Sequence, residues 1–339
     1  MCYNVENLFD AKHDSLYNDT EYLLGGMRGW NYMRYKEKLS NIAKVIVAVG
    51  EWSPPALVGL CEIENANTLF DLTKNTGLQQ LNYKFIHYES PDIRGVDVAL
   101  LYLTDFFEPI NSRPIRVSFP NSTSTTRDIL YACGKIPNGD TLHIFVNHFP
   151  SRLGGELESE ERRIAAATFL RTAVDSVFEK HANAAIVIMG DFNDYPNNNS
   201  IAKTLKASPL TENISFGSSS EPQKLYNLAC KIHAEGKIGS YRHENEWGML
   251  DQIIVSGALL DNSLKTKVLS STFQVFSPDW LLEDDKNFGV RPFRTYIGMR
   301  FNGGFSDHLP IFVKLFFYSS LTTKRSGVES VPYIDDLPF

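Results

Sequence analysis

What the chain lacks narrows its class first. No run of about 18 or more apolar residues occurs, so no transmembrane helix is expected. Cysteine is scarce: Cys2, Cys61, Cys133 and Cys230 lie far apart with no C-x-x-C spacing, which gives no sign of a zinc knuckle or a thioredoxin-type redox pair. Buried free thiols are expected, since a Cys2–Cys61 disulfide would require neighbouring strands. There is no basic tract, and the net charge is -7. A polyanion would have to be held by local Arg, Lys or metal against a mildly repulsive field, which argues against a non-specific DNA packager but not against a nuclease. Neither an internal repeat nor a Pro/Ser linker divides the 339 residues, so one domain over 1–339 is expected, ending in a short tail at about 319–339. Hydrophobic residues at 43% and charged residues at 22% exclude disordered and collagen-like classes. The opening "MCYNVENLFD" begins directly in a strand pattern, with no basic-then-apolar leader. Export is expected if a leader was removed upstream, and a cytoplasmic location otherwise.

What is present is a series of strand-length apolar runs at 56–63, 83–89, 96–103, 142–149, 185–192, 250–256 and 310–317. Two stretches carry helical periodicity. Residues 34–49 place Leu39, Ile42, Ala43, Ile46 and Val47 on one face, and 156–179 is Glu-rich in its first turn, as the helix dipole favours. Strands in runs broken by few helices predict two packed sheets with helices outside. By composition, 195–200, 215–223 and 278–293 read as loops.

The strand ends share one chemistry. The run 56–63 ends in Glu62 and Glu64, 142–149 in His148, and 185–192 in Asp191, Asn193 and Asp194; the run at 250 begins at Asp251, and that at 310 follows Asp307 and His308. Taken singly, such a Glu is a solvated turn residue, such a His a hydrogen-bonded core residue, and "GDFND" an Asx-turn. Together they place carboxylates, a carboxamide and two imidazoles on neighbouring strand ends, where a rigid scaffold presents a site.

In order and spacing, "CYNVENLF", "GLCEIEN", "RGVDVALLY", "VNHFPSR", "GDFNDYP", "LDQIIVS" and "FSDHLPIF" resemble the motifs of the endonuclease/exonuclease/phosphatase superfamily, over residues 3 to 317. The style is that of its bacterial members. The resemblance implies the deoxyribonuclease I-like fold, an α/β (α+β) four-layer α/β/β/α sandwich with two mixed sheets face to face. It also implies a divalent-metal phosphoesterase. Oxygen-rich residues suit Mg²⁺, with Mn²⁺ a substitute, whereas zinc would want more His or Cys. Glu62 is the expected ligand, with Asn4 and Asp307 completing or orienting the shell. By the family's pattern, Asp307 pairs with His308, Asp191 accepts the attacking water's proton, Asn193 donates to a non-bridging oxygen, His148 contacts phosphate or acts as acid, and Asp251 fixes one of the histidines.

Arg94 and Arg152 are candidate phosphate contacts, because guanidinium forks match phosphate oxygens, and Asp97 is a candidate support for a histidine. The expected substrate is a phosphate ester, in nucleic acid, a phospholipid headgroup or an inositol phosphate, cleaved by a monomer. An endonuclease-like phosphodiesterase leads. A sphingomyelinase-like or inositol-phosphate phosphatase-like hydrolase, or a silent phospho-ligand module, is the alternative; a β-sandwich adhesin would leave the strand-end acids unexplained. The loops 10–33 and 270–304 are rich in aromatics, including Trp30 and Tyr296, whose expected duty is to cover the sandwich edge.

Overall fold

A computed structural model describes residues 1–119, 123–210, 221–261 and 263–317. The expected tail at 319–339, and the 215–220 part of one expected loop, lie outside the described residues. Thirteen strands build two large sheets. In chain order they are β1 (Cys2–Leu8), β2 (Leu57–Ile63), β3 (Lys84–His87), β4 (Asp97–Tyr102), β5 (Glu108–Ile115), β6 (Ile129–Lys135), β7 (Thr141–His148), β8 (Ala185–Asp191), β9 (Ala207–Pro209), β10 (Leu225–Asn227), β11 (Asp251–Ser256), β12 (Thr266–Val275) and β13 (Ile311–Phe317). One sheet runs β12-β13-β1-β2-β4-β3 and the other β5-β6-β7-β8-β11-β10-β9. Both are mixed: β1 with β2, β7 with β8, and β9 with β10 are parallel, and the other pairs are antiparallel.

Helices lie outside. Helix α1 (Tyr32–Gly50) starts two residues before its expected position because the Asn31 side chain caps the amides of Met33 and Arg34. Helix α2 is Ala66–Lys74, α3 is Glu156–Lys180 and α4 is Cys230–Glu235. The inner faces of both sheets share one apolar core with α1 and α2, while α3 closes a second core on the outer face of the seven-stranded sheet. The layer order is therefore the expected α/β/β/α sandwich.

The sheets approach so closely that a Cβ on Gly59 would stand 2.7 Å from Met189 Sδ on the facing sheet. No helix among the described residues is long and apolar enough to cross a membrane. Cys2 and Cys61 lie on adjacent strands, yet both are free and buried, with Cys61 Sγ donating to Asn147 O at 3.2 Å. The edge aromatics do mostly cover: Phe9 stacks on Tyr22, Trp30 Nε1 donates to Phe9 O at 3.1 Å, and Trp30 packs against Tyr296, whereas Tyr32 stays exposed. The expected loop at 278–293 instead holds a short hairpin, Leu282–Asp285 with Gly289–Pro292.

One buried group on the outer face sets a pH response. His143 Nδ1 lies 2.9 Å from Tyr131 Oη, and burial, aided by His181, pushes the imidazole from the ordinary 6.5 down to about 4. Because the folded value lies below the unfolded one, the stability tied to the neutral ring is complete above pH 6.5 and lost as pH falls towards 4. The slope for one such proton is about 1.4 kcal/mol per pH unit. In denaturant titrations across this window, His143→Phe should lose stability less steeply than the native chain. Parallel slopes would show that the ring titrates normally.

Candidate functional site

Strand register assembles the site. His148, at the end of β7, pairs directly with Asp191 at the end of β8, and Asp191 pairs with Asp251 at the start of β11. Side chains alternate along a strand, so each of the three continues a row that is apolar further in: Leu142, Ile144 and Val146; Ala185, Val187 and Met189; Ile253 and Val255. At one end of the inter-sheet core these rows turn polar together. All three residues are buried, so their charges are held where water screens them poorly.

The facing sheet adds Asn4 and Glu62. Asn4 Nδ2 donates to Asp191 Oδ2 at 3.0 Å across the seam, and Asn193 N donates to Asp191 Oδ1 at 2.8 Å, so both carboxylate oxygens are oriented. Glu62 sits at a break in the β1–β2 and β2–β4 register with φ of 67°, and its Oε2 accepts from the amide of Asn7, itself at φ of 57°. Glu6 (φ 54°) and Asn193 (φ 49°) share this left-handed region, which costs a non-glycine residue about 1–3 kcal/mol and persists where surrounding structure over-determines it. Glu62 Oε1 faces His148 Nε2 at 3.8 Å, and His148 Nε2 lies 3.6 Å from Asp191 Oδ2.

His308 enters from the segment before β13. Its Nδ1 lies 2.6 Å from Asp251 Oδ2 and its Nε2 3.8 Å from Asp191 Oδ2. Asp307 is not its partner, contrary to expectation: the Asp307 carboxylate accepts from Arg294 Nη2 at 2.9 Å. Asp251 takes the His308 Nδ1 position that Asp307 was expected to fill. Ser306 anchors the turn, donating through Oγ to Asn4 O at 2.7 Å and accepting from the His308 amide at 3.1 Å. The Tyr241 ring packs on His308 at 4.8 Å, and the Leu309 amide donates to Ser240 O at 2.6 Å. Beneath lie Glu6, accepting from the amides of Thr295 and Tyr296, and buried Lys38, donating to Phe305 O at 2.6 Å.

The two histidines are driven apart. Burial, with the positive charges of Arg127, Arg94 and His308, holds His148 well below its ordinary value, hence neutral. Burial also works against a charged His308, but Asp251 and Asp191 outweigh it and lift the imidazole well above its ordinary value. Burial raises the Asp191 carboxyl to about 6, Asp251 adding to the rise and His308 opposing it.

The arginines divide. Arg152 is fully engaged by protein groups: Nε donates to Asn193 O at 2.8 Å, Nη1 to Glu156 and Nη2 to Asn198 at 3.2 Å each, and the guanidinium lies 4.2 Å over the Tyr195 ring. It fastens the loop that carries Asn193 rather than offering a free fork. Asn193 Nδ2 donates to Phe149 O at 3.0 Å. Arg94 keeps a buried, unpartnered Nη2. Beside it stands Arg127, which the motifs did not reveal: it is buried, donates to Asp92 at 2.9 Å and Phe149 O at 2.6 Å, and leaves Nε unpartnered. The signal was positional, because β6 runs antiparallel to β7 and its start therefore meets the end that carries His148.

Other strand-end residues serve elsewhere. Asp97 holds His87, Nε2 to Oδ2 at 3.1 Å, and neither site histidine. Glu64 accepts from the Asp10 amide at 2.6 Å, and burial lifts it to about 9. Asp194 pairs with buried Arg163 of α3 at 2.7 Å.

The donor chemistry suits a hard divalent cation. Ligand atoms of Asp191, Asp251 and His308 lie within 4.8 Å of one another, Asp251 Oδ1 has no hydrogen-bond partner, and the half-buried Glu62 carboxylate meets the same His148 Nε2 as Asp191. Carboxylate and carboxamide oxygens are the ligands such ions prefer.

No curated protein matches the chain by sequence. Among solved structures, the fold resembles a mannosyl-6-phosphatase of Bacteroides thetaiotaomicron (16% identity, TM-score 0.55, covering 93% of this chain and 98% of that one). It also resembles the human Nocturnin catalytic domain with bound sulfate (18%, TM-score 0.51, 84% and 87%) and truncated TDP2 of Caenorhabditis elegans (18%, TM-score 0.52, 84% and 91%). At such identities the likeness establishes the fold. The family model described as endonuclease/exonuclease/phosphatase matches residues 1–316, nearly everything described, and the chain belongs to that family of phosphoester hydrolases, which generally use divalent metals.

Proposed function

We propose that the chain is a Mg²⁺-dependent phosphoesterase, acting as a single-domain monomer, whose pocket takes a terminal phosphate. The observation that carries the terminal phosphate is the set of buried guanidinium donors without partners beside His148: Arg94 Nη2 and Arg127 Nε. Arg94 and Arg127 share one carboxylate, Asp92, at 3.5 and 2.9 Å, so a positive charge is left over beside a neutral histidine. Buried donors without acceptors are costly, and an anion repays them. A phosphomonoester dianion satisfies more of them than an internal diester, which carries one charge and must lead a chain out on both sides. Cleavage of nucleic acid as an endonuclease is the alternative.

Glu62 and Asn4 would hold the metal, with Asp307 orienting the shell from its pair with Arg294; the ion would supply charge neutralisation at the phosphoryl oxygens and acidify water. The rest falls to the chain. Asp191, oriented by Asn4 and Asn193, accepts the proton of the attacking water. His308, kept cationic by Asp251, stabilises charge on the phosphoryl group, and its Nε2 proton is available to the leaving oxygen. Neutral His148 donates a hydrogen bond to the phosphate, and the remaining N–H of Asn193 can do the same.

Two measurements test this reading. Against p-nitrophenyl phosphate, bis-p-nitrophenyl phosphate, plasmid DNA, RNA, sphingomyelin and inositol phosphates, the monoesters should turn over fastest; nicking of plasmid DNA in preference to all of them would favour the endonuclease. Glu62→Gln should raise the Mg²⁺ concentration for half-maximal activity by at least the roughly 10- to 100-fold that loss of an outer-sphere ligand partner costs. An unchanged Mg²⁺ requirement would remove Glu62 from the metal.

A further inference from the structure

On the outer face of the seven-stranded sheet, towards the end of β7 remote from His148, a cavity of about 360 Å³ opens between the last turns of α3 and strands β5 to β7. Register lays its floor. Arg113, Tyr131 and Phe145 form one cross-strand row, and Asn111, Cys133 and His143 form the next. Helix α3 seals Phe145 completely but leaves the β5 end of the row open, so Arg113 is exposed while Tyr131 is nearly buried. The floor is thus aromatic and apolar, and its one buried polar pair, Tyr131 Oη and His143 Nδ1, is satisfied internally.

The rim has one sign of charge. Arg113, Lys135 and Lys180 line the cavity, and no Asp or Glu does. In a chain of net charge -7, that is an uneven distribution. Arg113 rests over the Tyr131 ring at 5.5 Å, and Lys135 is held in place by Gly139 O at 3.0 Å and Thr141 Oγ1 at 2.9 Å. The ion pairs of α3, Arg152–Glu156, Arg163–Asp194 and Arg171–Asp175, use no residue that lines the cavity. A cation in a last helical turn is ordinary, which accounts for Lys180 but not for Arg113 on β5 or for the missing acids.

We propose that this cavity is a second binding site, for a small organic anion with an aromatic or apolar body: the body lies against the exposed Ile110 and the edge of Tyr131, and the anionic group is held by Arg113 and Lys180. The volume falls within the range of small-molecule pockets, about 300–1,000 Å³, and an apolar floor with a few placed charges is their usual lining.

The probe is 1-naphthalenesulfonate, which carries no phosphoester to hydrolyse, with inorganic sulfate and naphthalene-1-sulfonamide isolating the charge and the ring. Calorimetric titration of the full chain should give saturable one-to-one binding, with each half-probe weaker by about tenfold or more. Arg113→Ala/Lys180→Ala should weaken it by about tenfold or more while leaving the melting temperature and phosphoester turnover unchanged. The imidazole resonances of His143 and His181 should move on binding, and those of His308 should not. Absence of saturable binding, undiminished affinity in the double variant, or shifts at His308 in place of His143 would overturn the proposal.

Discussion

Replacing His308 with alanine is expected to lower kcat by about 10²- to 10⁴-fold, the range of a positioned acid–base group. The reason is electrostatic. The imidazole is buried between Asp251 at 2.6 Å and Asp191 at 3.8 Å, so its charge keeps Asp191 from rising further, and in the proposed mechanism it is also the proton source for the leaving oxygen. Without it, two buried carboxylates face each other uncompensated, and one takes up a proton. Loss of activity should therefore come with an acid limb of the pH profile displaced upwards in the residual activity. His308→Gln separates chemistry from packing, because a carboxamide can still donate to Asp251: it should preserve the fold and remain as inactive as the alanine variant. Substantial activity in the glutamine variant would assign His308 a positioning role.

The largest stability effect is expected at Arg163. Its guanidinium is fully buried in α3, 2.7 Å from Asp194 Oδ1, and donates to Ser159 Oγ at 2.6 Å and to Glu156 O at 2.7 Å. Asp194 also accepts from Ser200 Oγ at 2.5 Å, so the pair ties α3 to the loop that presents Asn193. Removing one partner of a buried ion pair strands the other, at a cost of about 3–5 kcal/mol. Arg163→Met should thus lower the unfolding free energy by that amount, seen as a lower denaturant midpoint with the slope unchanged. A loss below about 1 kcal/mol, the range of exposed pairs, would show that water takes the place of the guanidinium. Activity of the folded fraction should fall only modestly, because Arg152 still holds Asn193 O.

What the sequence displayed and what it hid follow from how each feature is encoded. The strands that read clearly, β2, β7, β8 and β11, are buried on both faces and appear as continuous apolar runs. Strand β5, "EPINSRPI", did not: it is a half-exposed edge carrying Pro109 and Pro114, residues that an edge strand tolerates and a strand pattern rejects. Strand β12 is broken by a register shift between Leu269 and Gln274, which erases its alternation. In the site, Glu62, His148, Asp191, Asp251 and His308 come together from the strand ends, and Asn4, named only by the resemblance, joins them from within β1. Partnership was another matter, since it depends on side-chain direction and strand order. Asp307 turned to Arg294, Arg152 to the loop backbone, and Arg127 arrived from the segment leading into a strand whose antiparallel course no local motif announces.

The most direct test of the account is release of p-nitrophenol from p-nitrophenyl phosphate and its bis ester by the purified native chain, in EDTA and after Mg²⁺ is restored. The account predicts no hydrolysis in EDTA and full recovery with Mg²⁺. Turnover that persists in EDTA, or none on either ester with the metal present, would contradict it.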